Sequence, residues 1–378
     1  MKYLFIVQGE GRGHLTQAIS LSQMLRRHGH EVVEVLVGKS SNREIPAFFL
    51  EKIGAKVKTF TSPSFCYGKD HKKVKLTKSI LLNITVKKLR EYSKSVNLIH
   101  RHIQKTEPDV VINFYEILAG LMNLRFREHV PFVCIAHQFL MKHPDFQYGN
   151  GTGREEMLLR LNNTLCSIGA TKTLALSFYP LKDFYRERMA VVPPLLREEV
   201  LQADPRDKGY ILGYMLNPGY ADEVKEWHKS HPDQEAHFFW DKKTAPPVFR
   251  VNDRLTFHRI NDVKFLEYMQ GCSGYVTTAG FESVCEAMYL GKPLLMVPAH
   301  IEQDCNAYDA FRSGAGVISE EFDLERLLDF SEHFRPNMAF RYWVRSCDWR
   351  ILRCIEREEK EETFFGVSSS CRPFFPAT

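Results

Sequence analysis

The sequence of 378 residues lacks the features typical of secreted, membrane-spanning and redox-active proteins. No apolar run approaches the roughly 18 residues that a membrane-spanning helix requires, and the apolar run at residues 3–7 is too short for the core of a signal peptide. The nine cysteines include no C-x-x-C pair, which argues against a zinc site and a redox dithiol. We therefore expect a cytoplasmic protein in a reducing compartment.

A large excess of one charge is also missing. The 51 basic and 46 acidic residues leave a net charge of only +5, but between Lys69 and Lys105 nine lysines and two arginines outnumber Asp70 and Glu91 by nine. This basic, amphipathic stretch fits either a solvated helix face or contact with anionic lipid headgroups at the inner membrane face. Nucleic-acid binding is disfavoured because Tyr92 is the single aromatic residue of its helical part, so we expect no nucleic-acid partner.

Alternating strand and helix patterns divide the chain into two α/β halves. A strand at residues 2–8, a glycine-rich turn, an amphipathic helix at 15–28 and an apolar run at 32–37 predict a βαβ unit at the start. The alternation continues, is interrupted by the proline- and charge-rich residues 193–209, and then restarts. We predict domains at 1–200 and 209–336, a helix at 337–360 and a flexible tail at 361–378.

The first glycine-rich turn comprises Gly9, Gly11, Arg12, Gly13 and His14. Its glycines allow a sharp turn and a close approach of ligand to backbone at the carboxyl end of the first strand. A dinucleotide fingerprint would require glycine at position 14, so NAD is disfavoured. A histidine on a loop at this edge is open to solvent and titrates near neutral pH, which suits a general base. The alternative is a structural histidine that packs against the turn.

A second strand–turn–helix pattern spans residues 277–287. Backbone N–H groups at residues 281–283 and the Ser283 hydroxyl could hold a diphosphate at the helix start. Glu286 lies on the same side of the helix, where its carboxylate could accept both hydroxyls of a ribose. The alternative is that Ser283 and Glu286 form a capping box, which is a common device at helix starts.

Sequence around this second turn resembles a known enzyme family. The stretch from Ala279 to Pro293, followed by E-Q-x-x-N-A at residues 302–307, resembles the donor-binding half of GT-B glycosyltransferases. The resemblance is to the peptidoglycan N-acetylglucosaminyltransferase and the UDP-glycosyltransferases in particular. The first glycine-rich turn resembles a G-x-G-G-H-like loop of that family, and V-P-F-V at residues 130–133, leading to His137, resembles a further first-domain motif.

The resemblance implies a fold and a set of donor contacts. The fold would be α/β of the GT-B type, with two facing Rossmann-like, doubly wound domains and a C-terminal helix that crosses back to the first. The donor-binding residues it implies are Gly280, Phe281, Glu282 and Ser283 for the diphosphate, Glu286 for ribose, Glu302 and Gln303 for the transferred sugar, Ile260 for the uracil edge, and Asn217 in a loop after the first strand of the second domain.

The predicted function is transfer of a sugar from a nucleotide-diphosphate donor, with a UDP-sugar as the expected donor, to an acceptor hydroxyl. His14 is the preferred base and His137 the second choice. We expect neither a cofactor nor a metal, because no D-x-D motif is present to hold a divalent ion on the diphosphate. A lipid-linked acceptor would explain the basic stretch. The alternatives are a non-catalytic sugar-nucleotide sensor and an NADP-dependent oxidoreductase that uses residues 38–41.

Overall fold

The computed structural model describes residues 1–41, 43–63, 85–149, 153–215, 218–242 and 244–356. They form two seven-stranded sheets, with strand orders β3-β2-β1-β4-β5-β6-β7 and β10-β11-β9-β8-β12-β13-β14. The strands of the first sheet are β1 (Lys2–Gln8), β2 (Glu31–Lys39), β3 (Val57–Thr61), β4 (Val110–Phe114), β5 (Phe132–Ala136), β6 (Lys172–Leu176) and β7 (Met189–Val192). Those of the second are β8 (Tyr210–Met215), β9 (Ala236–Trp240), β10 (Val248–Arg250), β11 (Leu255–Arg259), β12 (Cys272–Thr277), β13 (Leu294–Met296) and β14 (Gly316–Ile318).

Helices connect most of the strands in the described part of the chain. Those of the first half are α1 (Gly13–Arg27), α2 (Ala47–Lys52), α3 (Val86–Thr106), α4 (Ile117–Phe126), α5 (Gly153–Cys166) and α6 (Glu198–Leu201). Those of the second half are α7 (Ala221–Ser230), α8 (Asp262–Gly271), α9 (Phe281–Leu290), α10 (Ile301–Arg312), α11 (Leu324–His333), α12 (Met338–Arg345) and α13 (Cys347–Glu356). None of the described helices is both long and apolar enough to cross a lipid bilayer.

The strands pair in parallel throughout the first sheet, and in the second only the β10–β11 pair is antiparallel. A parallel sheet is covered on both faces, so its strands are apolar without alternation. The fully buried run at residues 3–7 and the five buried residues of β4 follow this rule. The near-continuous apolar runs are therefore what makes these segments central strands.

Strand order reverses once in each sheet, between β1 and β4 in the first and between β8 and β12 in the second. In open α/β sheets, ligands bind at such reversals, outside the carboxyl ends of the strands. Tyr115, just after β4, and Ala279, just after β12, both adopt left-handed backbone conformations, with φ of 61° and 60°. Non-glycine residues rarely do so, and such strain concentrates at functional sites. Both reversals are thus marked by the same backbone feature.

The chain returns to the first sheet at its C-terminal end. Trp343 in α12 donates its indole N–H to the Ser177 carbonyl (2.9 Å), and Arg350 in α13 donates to the Val191 carbonyl (2.6 Å). The prediction of a single helix at 337–360 is wrong in one respect. The described part of this segment forms two helices, α12 and α13, which are separated at Ser346. The Ser346 hydroxyl donates to the Trp343 carbonyl (2.7 Å), which is a local bond that competes with helix continuation. Residues 357–378, including the predicted tail, lie outside the described residues.

Candidate active site

A cavity of about 1720 Å³ lies between the two sheets and is lined by loops and helices of both halves. It adjoins both strand-order reversals, so the ligand-binding edges of the two sheets share one space. The predicted site residues on its wall are Gly11, Arg12, Gly13, His14, His137, Ile260, Gly280, Phe281, Glu282, Ser283, Glu286, Glu302 and Gln303. Asn217 lies outside the described residues.

Gly9 has a structural role behind this wall. Its amide donates to the Gly38 carbonyl (2.8 Å), and a Cβ atom at this position would come within 2.6 Å of the Val37 side chain. Glycine is therefore required by the close approach of the turn to β2. At Gly13 a Cβ atom would lie 3.4 Å from the Glu282 side chain, so the two halves also meet closely at this turn.

His14 lies in the first turn of α1, whereas the sequence placed it on a loop with the helix starting at residue 15. Its Nδ1 donates to Gln17 Oε1 (3.1 Å), and its ring stacks on Tyr115 with the centroids 5.4 Å apart. Burial lowers the pKa of His14 to about 4, so the expected titration near neutral pH is wrong. The imidazole is neutral at pH 7, and because Nδ1 carries the proton, Nε2 is the basic nitrogen.

The second turn presents backbone donors to the cavity. Gly280 precedes α9, and the first intrahelical bond runs from the Val284 amide to the Gly280 carbonyl (3.1 Å). By helix geometry the amides of residues 281–283 have no intrahelical acceptor. The capping-box alternative is wrong: the Ser283 hydroxyl donates to the Gly280 carbonyl (3.2 Å), and Glu286 is bound elsewhere. The helix start therefore lacks a side-chain cap, and residues 280–283 lie on the cavity wall.

Glu282 connects this turn to the first half. Its Oε1 accepts a hydrogen bond from Gln17 Nε2 (2.5 Å) on α1, and its side chain is almost fully buried. Burial raises the pKa of Glu282 to about 8, so this carboxyl is largely protonated at pH 7. The resemblance implied that the backbone of Glu282 contacts the diphosphate, and the structure places Glu282 on the cavity wall.

Glu286 is held by an arginine that sequence analysis missed. Arg197 Nε and Nη2 donate to the two oxygens of Glu286 at 2.6 Å each, and Arg197 Nη1 donates to Asp262 Oδ1 at 2.5 Å. Arg197 lies just before α6, in a segment that was interpreted only as a charged linker. The ribose-binding carboxylate predicted at Glu286 is thus already engaged by a cation. Its partner is 89 residues away, so local patterns carried no signal for this pair.

Glu302 and Gln303 stand at the start of α10. Glu302 Oε1 accepts from Gln138 Nε2 (2.8 Å) of the first half, and burial raises the pKa of Glu302. Gln303 Oε1 accepts from the Ala299 amide (2.9 Å). On the same helix, Asn306 donates to the carbonyl of the left-handed Ala279 (3.1 Å) and so stabilises the second turn. The E-Q-x-x-N-A motif therefore forms part of the cavity wall and also supports the turn beside it.

His137 packs between the two halves. It is 1% exposed, its Nδ1 donates to the Leu176 carbonyl (2.7 Å), and its ring stacks on Phe281 with the centroids 4.0 Å apart. Burial lowers the pKa of His137 to about 4. Ile260 also lines the cavity, but its amide donates to the Trp240 carbonyl (3.3 Å), so this N–H is not available to pair with a base.

Two further polar residues were missed on the first-half side. Glu116, after β4, is fully buried and lines the cavity, and its Oε1 accepts from the Ser62 hydroxyl (2.6 Å). Burial raises the pKa of Glu116 to about 7. Arg43, after β2, also lines the cavity, and its buried Nε has no partner among the described residues. A polar residue two positions after a buried parallel strand is the signal that could have indicated Glu116.

The family is decided by a comparison over most of the chain. Residues 1–334 match the model of a family described as glycosyl transferase family 1. The chain belongs to this glycosyltransferase family. It is therefore a glycosyltransferase, and the predicted class of enzyme is confirmed. No curated protein matches the sequence.

Solved structures similar to this glycosyltransferase share its two-domain fold. The kitacinnamycin glycotransferase is 14% identical, with 94% of this chain and 98% of that chain covered and a TM-score of 0.64. A glycosyltransferase from Arabidopsis thaliana, complexed with UDP-L-rhamnose, is 14% identical, with 96% and 99% covered and a TM-score of 0.59. A Listeria monocytogenes protein assigned as a UDP-N-acetylglucosamine 2-epimerase is 14% identical, with 96% and 97% covered and a TM-score of 0.63. These likenesses confirm the predicted GT-B fold.

The NADP alternative is disfavoured by the family match and by a contact at residues 38–41. The Ser40 amide donates to the Glu10 carboxylate (2.6 Å), so this amide is already bound to an acidic side chain. A phosphate placed beside that carboxylate would be repelled by it.

Proposed function

We propose that this glycosyltransferase moves a sugar from a UDP-sugar to an acceptor hydroxyl without a metal ion. The observation that carries the proposal is the shared cavity, in which the uncapped start of α9 faces His14 from the opposite half. Free amides at a helix start bind a diphosphate, and a neutral imidazole can take a proton from a hydroxyl. Both groups needed for transfer then meet in one space.

Arginines support binding of the diphosphate without a metal. Arg12 and Arg43 line the cavity from the first half, and the buried Nε of Arg43 is a donor without a partner among the described residues. Guanidinium groups make strong, charge-assisted hydrogen bonds to phosphate oxygens. With the amides of residues 281–283, they would neutralise the charge that develops as the diphosphate leaves. The absence of a D-x-D motif agrees with this arrangement.

His14 is the proposed general base. In the reaction, Nε2 of His14 takes the proton of the acceptor hydroxyl while the acceptor oxygen forms a bond to the anomeric carbon. The bond between that carbon and the β-phosphate oxygen breaks, and UDP leaves with the bonding electrons. Hydrogen bonding to Gln17 fixes the tautomer in which Nε2 is free to act.

The acceptor is proposed to be a lipid-linked molecule. Between α3, α4 and α5 the cavity has an apolar lobe whose lining includes Leu89, Val96, Leu121, Leu158 and Leu165. Burial of an aliphatic chain in such a lobe is favourable at about 0.8 kcal/mol for each CH₂ group. A lobe of this kind suits the apolar part of an amphiphile, while its hydroxyl would face His14.

Contact with an anionic membrane would bring such an acceptor to the cavity. On α3 the apolar side chains Val86 and Leu89 are 69% and 52% exposed, and Lys87, Arg90 and Lys94 are exposed on the same helix. Basic residues near an anionic surface each contribute about 1 kcal/mol of attraction, and exposed apolar residues add insertion into the headgroup region. Residues 69–84 of the basic stretch lie outside the described residues, so their part in membrane contact is inferred from the sequence alone.

The test is release of nucleotide diphosphate from a panel of UDP-, TDP- and GDP-sugars, with long-chain and short-chain alkyl glycosides as acceptors, with and without EDTA. We expect turnover with a UDP-sugar, lost in His14→Ala and Glu286→Ala. Turnover that EDTA abolishes would contradict metal independence. Saturable UDP binding without turnover for any acceptor would favour the sensor, and turnover with only TDP- or GDP-sugars would contradict the proposed donor.

A further inference from the structure

Arg197 and Glu286 form a buried, bidentate ion pair at the proposed ribose position. The side chains of Arg197 and Glu286 are 7% and 2% exposed, and both residues line the cavity. Two parallel N–H···O bonds of this kind fix the orientation of both groups. The carboxylate of Glu286 therefore has one defined direction toward the cavity.

The pair leaves Glu286 with unused acceptor positions on both oxygens. An ionised carboxylate offers about four lone-pair positions on its two oxygens, and Arg197 uses one on each oxygen. Two positions remain, one on the outer side of each oxygen, and each can accept a hydrogen bond from a ribose hydroxyl. Without its cation, a carboxylate buried as deeply as that of Glu286 would be strongly destabilised.

We propose that Arg197 is a positioning residue for ribose recognition, which holds the Glu286 carboxylate oriented to accept a hydrogen bond from the ribose hydroxyls. The proposal rests on the proposed UDP-sugar donor. Arg197 acts through Glu286 and need not touch the donor itself. Its location between the two sheets makes ribose recognition depend on the segment that joins them.

Lys52 provides a matched control. It lies on α2 of the first half and donates to Glu199 (2.8 Å) and to Asp262 (3.1 Å), so it binds the outer side of the cluster. Replacing it removes a charge from the same cluster but leaves both bonds between Arg197 and Glu286. A general electrostatic or structural role of the cluster would make the two cations equivalent.

The experiment measures, by titration calorimetry, dissociation constants for UDP and 2′-deoxy-UDP with the wild-type protein and with Arg197→Met, Arg197→Lys and Lys52→Met. Loss of a hydrogen bond to a charged group predicts that the wild type prefers UDP by about tenfold. We expect this preference to fall to about twofold or less in Arg197→Met and to persist in Lys52→Met. Because lysine cannot form the bidentate pair, Arg197→Lys should also lose most of the preference for UDP. If Arg197→Met does not fold, Arg197→Lys takes its place in the test.

The outcomes separate the two proposals. No UDP binding by the wild type at millimolar concentration overturns the proposed donor, and with it this inference. UDP binding with an undiminished preference in both Arg197 variants overturns only the inference. Equal loss of the preference in Lys52→Met also overturns it, because the effect would then belong to the whole charge cluster.

Discussion

Gln17 Nε2 of the first half donates to Glu282 Oε1 of the second half, at a distance of 2.5 Å. Since Gln17 also accepts from His14 Nδ1, one amide side chain bonds the proposed base in the first half and the donor-binding turn in the second. An amide has a donor and an acceptor end, so it can satisfy both partners at once. Gln17 is therefore an uncharged link between the two halves of the candidate site.

Gln17→Met should destabilise the protein by about 1–3 kcal/mol, because it leaves the buried Glu282 carboxyl without its donor. Urea unfolding at pH 6, where Glu282 is protonated, measures the change. In the double variant Gln17→Met/Glu282→Met both polar groups are gone, and the loss should be smaller than in the single variant. A double variant as unstable as the sum of both single variants would contradict the predicted coupling.

Glu116 should make stability fall as the pH rises. Its pKa is raised from 4.5 to about 7 in the folded protein, so the stabilisation is complete below pH 4.5 and is lost as the pH rises toward 7. The free energy of unfolding of the wild type, relative to Glu116→Gln, should decrease between pH 5 and 7 by about 1.4 kcal/mol for each pH unit at most. A relative stability that is constant over this range, or that increases, would show that Glu116 is ionised when folded.

His14→Gln should lower kcat by about 100-fold or more, which is the usual contribution of a general base. Because burial lowers the pKa of His14 to about 4, kcat/KM of the wild type should show no ionisation of this group between pH 5.5 and 8. A titration near pH 6.5 that disappears in the variant would mean that the imidazole is solvated during turnover, against the environment described above.

Vesicle flotation should detect membrane contact through α3. Wild-type protein should float with vesicles containing phosphatidylglycerol and should be released at high salt, since ions screen surface attraction. Each of the substitutions Lys87→Gln, Arg90→Gln and Lys94→Gln should weaken binding about fivefold. The same three substitutions should leave UDP binding unchanged, because these side chains do not line the cavity. Salt-independent flotation, or none, would contradict a basic membrane surface.

Local patterns predicted the fold and the wall of the site well. The apolar run at residues 3–7, the glycine-rich turn and the second turn at Gly280 lie where strand, turn and helix were expected, because their causes are local. The environment of His14 and the partner of Glu286 were not predictable in this way. Both depend on contacts between residues far apart in sequence, such as Arg197 with Glu286, which only the packing of the two halves creates.

Hydrogen–deuterium exchange of α9 tests the central claim most directly. The amides of residues 281–283 have no intrahelical acceptor, so they should exchange rapidly in the free protein and slowly when they donate to a bound diphosphate. At saturating UDP, confirmed by calorimetry, we expect strong protection in the peptide covering residues 280–286 and none in α11. Unchanged exchange in that peptide, with UDP bound, would contradict a donor site at the start of α9.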